Sequence, residues 1–277
     1  MKIISNGVEY HIEIKGEGEP LLLLHGFTGN LKTWLPLVQI LESKYRFIMV
    51  DLIGHGKTDS PEDYKRYSME KAAKDLKNIL ETIDVKKTNV LGYSMGGRLA
   101  LSFARSYPEY VERLILESAS PGLRTEEERS IRQESDRKLA GRILEKGIAD
   151  FIDYWESIPL FESQKNLPLQ KKLEIRRQRL LNSETGLAGS LQGMGTGSQP
   201  SWWDQLQHID FPVLLVTGEL DQKFCNIADQ MKNDIKNCEW IIIKGAGHAI
   251  HVEVVEKFGK IVSEFLQRYK GGEMNGN

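Results

Sequence analysis

Short apolar runs recur along the chain at Leu21 to Leu24, Phe47 to Val50, Val90 to Leu91, Leu114 to Leu116, Val213 to Val216 and Trp240 to Ile243. Strands buried on both faces of a parallel sheet read this way, as apolar stretches without alternation. The segments between them have helix length, which predicts helices over Leu31 to Leu41, Met69 to Ile83, Arg98 to Tyr107, Ile227 to Ile235 and His251 to Tyr269. Val8 to Ile14 differs, because Val-Glu-Tyr-His-Ile-Glu-Ile alternates with the period of a half-buried antiparallel strand. Pairing with Lys2 to Ser5 across the Asn6-Gly7 turn would make an edge hairpin.

Between Pro121 and about Gln205 the alternation of strand and helix stops, and a charged, helix-forming stretch broken by Pro159, Pro168 and Pro200 takes over. The expected organisation is an α/β core of residues 1–120 and 206–270, an inserted helical cap of residues 121–205, and a disordered tail of residues 271–277. A single core can grow to roughly 250 to 300 residues, so two independent domains are not required.

The cap holds 8 of the 14 arginines, yet its 13 basic residues are balanced by 13 acidic ones. Most of them therefore belong to a solvated, ion-paired surface, and only a minority should point inward. The formal net charge of -2 gives no electrostatic case for nucleic acid or an anionic membrane as partner. Met1-Lys2-Ile3-Ile4-Ser5-Asn6-Gly7 lacks the apolar region of a secretory signal, and no stretch approaches the roughly 18 apolar residues of a membrane span, so a cytoplasmic protein is expected. Cys225 and Cys238 have no companion Cys or His at metal-ligand spacing and read as reduced thiols, with no metal and no cofactor expected. Oligomeric state is not legible in the sequence.

Gly92-Tyr93-Ser94-Met95-Gly96 places a serine between two glycines, directly after the β-rich Thr88 to Leu91 and directly before the helix-like Arg98 to Ala104. The bare pattern arises by chance in about one chain in ten of this length, at Gly and Ser frequencies near 7% each. Its strand-turn-helix setting makes it selective, and in that setting it resembles the nucleophile elbow of the α/β-hydrolase fold. That resemblance implies a mostly parallel central sheet flanked by helices, with the serine lifted above the sheet's carboxyl edge.

A serine hydroxyl needs an imidazole to take its proton and a carboxylate to fix that imidazole. In α/β-hydrolases the chain order is Ser, acid, His, each at the carboxyl end of a strand. Asp221 follows Val213 to Thr217 in Gly218-Glu219-Leu220-Asp221, and His248 follows Ile241 to Ile243 in Gly245-Ala246-Gly247-His248, so Ser94, Asp221 and His248 are the candidate triad. His251 reads as the start of a helix, His208 precedes a strand, and Asp51 precedes the serine. Negative charge developing in the reaction needs donors, and His25-Gly26-Phe27 matches the fold's oxyanion loop, which nominates the backbone amides of Phe27 and Met95. His25 is expected to brace that loop, and His55 in Asp51-Leu52-Ile53-Gly54-His55-Gly56 to be structural.

Arg98 lies four residues after Ser94 and shares its helical face. It is either an ion-paired surface arginine or a guanidinium that holds a substrate carboxylate bidentately, and the arginine-rich cap favours the second. Gly193-Met194-Gly195-Thr196-Gly197 imitates a phosphate loop but lacks the preceding strand and the Gly-Lys-Ser/Thr ending, and reads as a flexible or close-packed cap segment.

Gly92-Tyr93-Ser94-Met95-Gly96-Gly97-Arg98, Ser120-Pro121-Gly122-Leu123, Gly218 to Phe224 and Ala246-Gly247-His248-Ala249-Ile250-His251 together resemble the menaquinone-pathway 2-succinyl-6-hydroxy-2,4-cyclohexadiene-1-carboxylate (SHCHC) synthases. The resemblance spans nearly the whole chain. It implies a lyase that eliminates pyruvate from a multi-carboxylate substrate, with the activated serine removing a proton instead of attacking a carbonyl. It further implies substrate contacts from Arg98, from cap residues Arg132 and Arg179, and from the aromatic residues Tyr93 and Trp155, the last with a one-residue offset from Tyr154 left open. Two rival readings are a serine hydrolase of esters or carbon-carbon bonds using the same triad, which leaves Arg98 without a task, and a non-catalytic small-molecule-binding protein of this fold. A dehalogenase is disfavoured because that chemistry uses Asp at position 94.

Overall fold

The computed structural model describes residues 1–269; the tail expected at 271–277 lies outside the described residues. Among the described residues, eight strands form one sheet in the order β1-β2-β4-β3-β5-β6-β7-β8. β1 (Lys2–Ser5) and β2 (Val8–Lys15) are the expected hairpin, closed by Asn6 and Gly7 at φ 46° and 79°, the left-handed pair that an Asn-Gly turn favours. β2 then pairs antiparallel with β4 (Tyr45–Val50), and all later pairings are parallel. β3 (Glu19–Leu24), β5 (Thr88–Tyr93), β6 (Val111–Glu117), β7 (Val213–Gly218) and β8 (Cys238–Ile243) complete the sheet.

The continuous apolar strands divide their residues between two cores. Leu22, Leu24, Ile48, Val50, Val90, Leu114 and Leu116 pack on one face, against α2 (Met69–Thr82) and α3 (Met95–Ser106). Leu21, Leu23, Phe47, Met49, Leu91, Ile115 and Leu214 pack on the other, against α1 (Leu35–Leu41) and α9 (Val255–Arg268). Alternation is thus present but invisible in the sequence, because both faces are dry.

Between β6 and β7 lie α4 (Glu126–Ser157), a 3-10 segment (Pro159–Asn166), α5 (Leu169–Leu180) and α6 (Glu184–Met194). They carry a small core of their own, in which Ile143, Phe151 and Ile152 of α4 meet Leu187 and Leu191 of α6. Thr125 caps α4 in a reciprocal box with Glu128, and Gly147, at φ 83°, kinks it.

Several predicted helices shift. The expected Leu31–Leu41 helix is a 3-10 turn (Leu31–Trp34) followed by α1. α3 begins at Met95, three residues before the expected start, because the elbow itself is its first turn. α7 (Gln222–Asp234) begins five residues early, since the Asp221 side chain caps it by accepting the Phe224 amide at 3.4 Å. The last expected helix is α8 (Ile250–Glu253) and then α9. Among the described residues no helix is long and apolar enough to cross a membrane.

Candidate active site

β5 runs into α3 through Ser94, which sits at φ 50° and ψ -109°. This strained backbone is held by close packing. A Cβ on Gly92 would lie 2.4 Å from the Gly96 carbonyl oxygen, and one on Gly96 would lie 2.2 Å from that of Leu24. Only glycines allow α3 to approach β3 and β5 this closely, and that approach aims the serine out of the sheet.

His248 Nε2 is 2.9 Å from Ser94 Oγ, and His248 Nδ1 donates to Asp221 Oδ2 at 2.6 Å. The three residues expected from strand-end placement therefore form one unbroken hydrogen-bonded chain. Asp221 uses its two oxygens differently, Oδ1 on the α7 cap and Oδ2 on the imidazole, so the helix start orients the carboxylate. The imidazole is almost fully buried and packs against Tyr93, Phe224 and Phe161, with ring centroids 5.3, 4.7 and 6.2 Å away.

His25 has the bracing role expected of it. Its Nδ1 donates to the Gly26 carbonyl at 2.8 Å, and its Nε2 accepts the Leu52 amide at 3.0 Å. Burial lowers its pKa and keeps it in this neutral tautomer. The turn is further closed by the Gly29 amide on the Gly26 carbonyl at 3.0 Å. Phe27 and Met95 both line the cavity in front of Ser94, and the Met95 amide, as the first of α3, has no acceptor one turn earlier in its own helix. His55 is buried, with Nδ1 against the Ile53 carbonyl at 3.0 Å, as a structural residue would be.

The cavity measures about 310 Å³ and is lined by residues of both the sheet's carboxyl edge and the inserted helices. Arg98 lines it, but one edge of its guanidinium is already engaged: Nη1 donates to the Met194 carbonyl and to Gln199 Oε1, each at 2.8 Å. Burial pushes this guanidinium down to about 9, Arg132 adds to the fall and Asp136 opposes it. It remains a cation at neutral pH, and a bound carboxylate would relieve its desolvation. Arg132 lines the same cavity and is oriented by Asp136, whose Oδ1 accepts from Nε at 2.8 Å. Tyr93 and Trp155 line it, whereas Tyr154 is exposed and stacks under Arg142 at 4.6 Å. Gly193, Gly195 and Gly197 are close-packed, and Gly195 also lines the cavity.

Arg179 departs from expectation. It lines a separate cavity of about 60 Å³, divided from the first by Phe27, Tyr93 and Phe161. There it donates to Glu156 at 3.2 Å and Gln164 at 3.3 Å, and lies over the Phe161 ring at 4.8 Å. Glu156, which also accepts from Arg176 at 2.7 Å, pairs with it inside the cap.

Two cations that sequence reasoning did not nominate take its place. Lys223, in the first turn of α7, and Arg124, which stacks on Trp203 at 3.7 Å, both line the main cavity. The signal for Lys223 was its position two residues after the acid, on the helix that the acid caps. Burial and Arg132 lower its pKa, with Asp221 opposing. Among the described residues, four cationic side chains thus line the cavity against the single carboxylate of Glu128. Among the described residues no cluster of three or more His, Cys, Asp or Glu could hold a metal ion.

A family profile described as alpha/beta hydrolase fold matches residues 19–254. A Bacillus subtilis protein named as a 2-succinyl-6-hydroxy-2,4-cyclohexadiene-1-carboxylate synthase is 48% identical over 95% of this chain and 96% of its own length. A synthase of the same name from Photorhabdus laumondii is 30% identical over 90% of this chain and 86% of its own. The solved structure of MenH from S. aureus superposes with a TM-score of 0.90 at 35% identity, covering 95% of this chain and 99% of that one.

Proposed function

Given that the chain belongs to the SHCHC synthases of the alpha/beta hydrolase fold, we propose that it eliminates pyruvate from a multi-carboxylate cyclohexene intermediate of menaquinone biosynthesis, with Ser94, His248 and Asp221 as the base system. His248 takes the Ser94 proton, and the serine oxygen removes a proton from the substrate ring. The electron pair of that carbon-hydrogen bond becomes the new ring double bond. The bond to the enolpyruvyl oxygen breaks, and the departing enolpyruvate is protonated to pyruvate. Asp221 holds the imidazole in the tautomer that can accept the proton and stabilises the imidazolium that forms. The Phe27 and Met95 amides face the negative charge that accumulates on the substrate oxygen as the proton leaves.

One observation carries this reading. A hydrogen-bonded Ser94-His248-Asp221 chain opens onto a cavity lined by Arg98, Arg124, Arg132 and Lys223, against Glu128 alone among the described residues. An ester hydrolase acting on neutral substrates has no use for four cations around its nucleophile, while a multiply charged carboxylate substrate requires them. Arg98 and Arg132 offer planar forks suited to carboxylates, and Lys223 a point charge.

The test is pyruvate release from the pathway intermediate by the purified protein, followed by a coupled dehydrogenase, with a neutral aryl ester in parallel. Pyruvate release with at most slow ester cleavage supports the lyase. Fast ester turnover with a burst of product, and no pyruvate, would establish the hydrolase instead.

A further inference from the structure

A second buried pair lies directly behind the catalytic one. Glu117 is the last residue of β6 and is fully buried. Its carboxylate accepts the His251 backbone amide at 3.0 Å and meets His251 Nδ1 with both oxygens at 2.9 Å. Its backbone carbonyl accepts the amide of Ser94 at 2.9 Å. His251 Nε2 continues to Thr33 Oγ1 at 2.9 Å, and its ring packs on Tyr93 at 4.6 Å. Glu117 is therefore bonded through its main chain to the nucleophile, and through its side chain to the residue three positions after the base.

From these contacts we infer that Glu117 and His251 are the positioning pair of the triad, fixing the separation between Ser94 and His248; the inference rests on the triad reading above. The sheet order explains the need. Ser94 follows β5 and His248 follows β8, three strands apart, so small displacements between neighbouring strands would accumulate over the Ser-His hydrogen bond. Glu117 bypasses β7 by reaching from β6 straight to His251 in α8, the short helix that follows the base loop. Of the loop's other carboxylate anchors, Glu253 Oε2 on the Gly247 amide at 2.7 Å leads to Ser163 of the inserted segment, and Glu219 Oε2 on the Gly245 amide at 2.9 Å leads to the end of β7, so neither reaches the serine side. A buried polar pair is weak evidence of a stabilising role, since well-packed apolar residues of similar volume often replace a buried pair without loss.

The experiment compares E117Q, H251L and H251N with the unmodified chain by two readouts: the rate at which a fluorophosphonate probe labels Ser94, and kcat and KM for pyruvate release. Labelling reports the Ser-His geometry without substrate, so it stays informative if the elimination reading fails. An error of about 1 Å in a catalytic contact costs up to a hundredfold. Labelling and kcat should therefore fall together by about tenfold to a hundredfold in E117Q and H251L, with KM within about twofold. H251N, whose amide can donate where Nδ1 did, should recover most of the loss at equal folded fraction. If either E117Q or H251L keeps labelling and kcat within twofold, if KM rises in step with the fall in kcat, or if H251N is no better than H251L, the inference is overturned. Should E117Q not fold, the comparison of the two His251 variants decides.

Discussion

Replacing Arg98 with Ala removes two kinds of interaction, and their sizes can be worked out separately. On the ligand side, truncating one partner of a buried, charge-assisted pair costs about 2 to 5 kcal/mol, or roughly 30- to 5,000-fold in kcat/KM. Because Nη1 already serves Met194 and Gln199, only the Nε and Nη2 edge is left for a carboxylate. The loss should thus fall in the lower half of that range, about 30- to 400-fold. On the fold side, the Met194 carbonyl and Gln199 Oε1 lose their donor, at about 1 to 3 kcal/mol each if they stay buried. For a chain of this size each kcal/mol lowers Tm by about 2 to 4 °C. R98K keeps the charge and a single donor nitrogen but not the planar fork, and should recover part of both losses. The assay is kcat/KM for pyruvate release beside kcat/KM for a neutral aryl ester, at a temperature where thermal melts show every variant folded. The expected outcome is a large loss on the multi-carboxylate substrate and a small one on the ester. Equal losses on both would mean that Arg98 only secures the helix and the segment above it, and would refute its assignment to the substrate.

D221N should cut kcat by at least about a thousandfold while Tm changes little, because the α7 cap survives but the imidazole loses its orienting charge; a variant retaining most of its turnover would transfer the role to another carboxylate. K223M should raise KM for the multi-carboxylate substrate about 5- to 30-fold with kcat within about threefold, as loss of a uniform binding contact does, and an unchanged KM would remove Lys223 from the substrate site. Burial, helped by the neighbouring His25, lowers the His55 pKa from 6.5 to about 3, so between those values the unfolded chain binds a proton that the folded chain refuses. Stability from this group is complete above about pH 6.5 and is lost as pH falls toward 3, by up to about 1.4 kcal/mol per pH unit; H55N, which keeps the donor to the Ile53 carbonyl, should flatten the plot of Tm against pH between 6 and 4, and an unaltered slope would assign the acid loss elsewhere.

The strands were legible because burial on both faces leaves no polar interruption in Leu21 to Leu24 or Phe47 to Val50, and the triad because chain order and strand ends constrain it. Helix starts were harder where one residue has two roles. Asp221 reads as the acid, and its second duty as the cap of α7 hid the first five residues of that helix. Arg179 was misplaced for a different reason: α5 has no fully buried apolar residue, so periodicity along Leu169–Leu180 does not reveal which way its arginines face. Glu117 was invisible because its partner lies 134 residues away, and a glutamate closing an apolar strand reads as ordinary punctuation. What escaped the sequence in each case was a contact between segments far apart in the chain.

The same contacts determine how the site can vary. Ser94, Asp221 and His248 all sit at strand ends of the sheet, and their geometry is fixed by Gly92, Gly96 and the neighbouring strands. The cations that line the cavity come from both layers: Lys223 belongs to the sheet layer, Arg132 to α4, and Arg98 to α3 while being aimed by Met194 and Gln199 from the inserted region. Exchanging that insertion would therefore not simply swap one substrate lid for another. It would remove the two acceptors that orient Arg98, leave a buried guanidinium only partly paired, and move Arg132 away from Lys223 and Arg98. Insertion and core have to change together for the cationic lining of the cavity to change while the serine, histidine and aspartate remain in place.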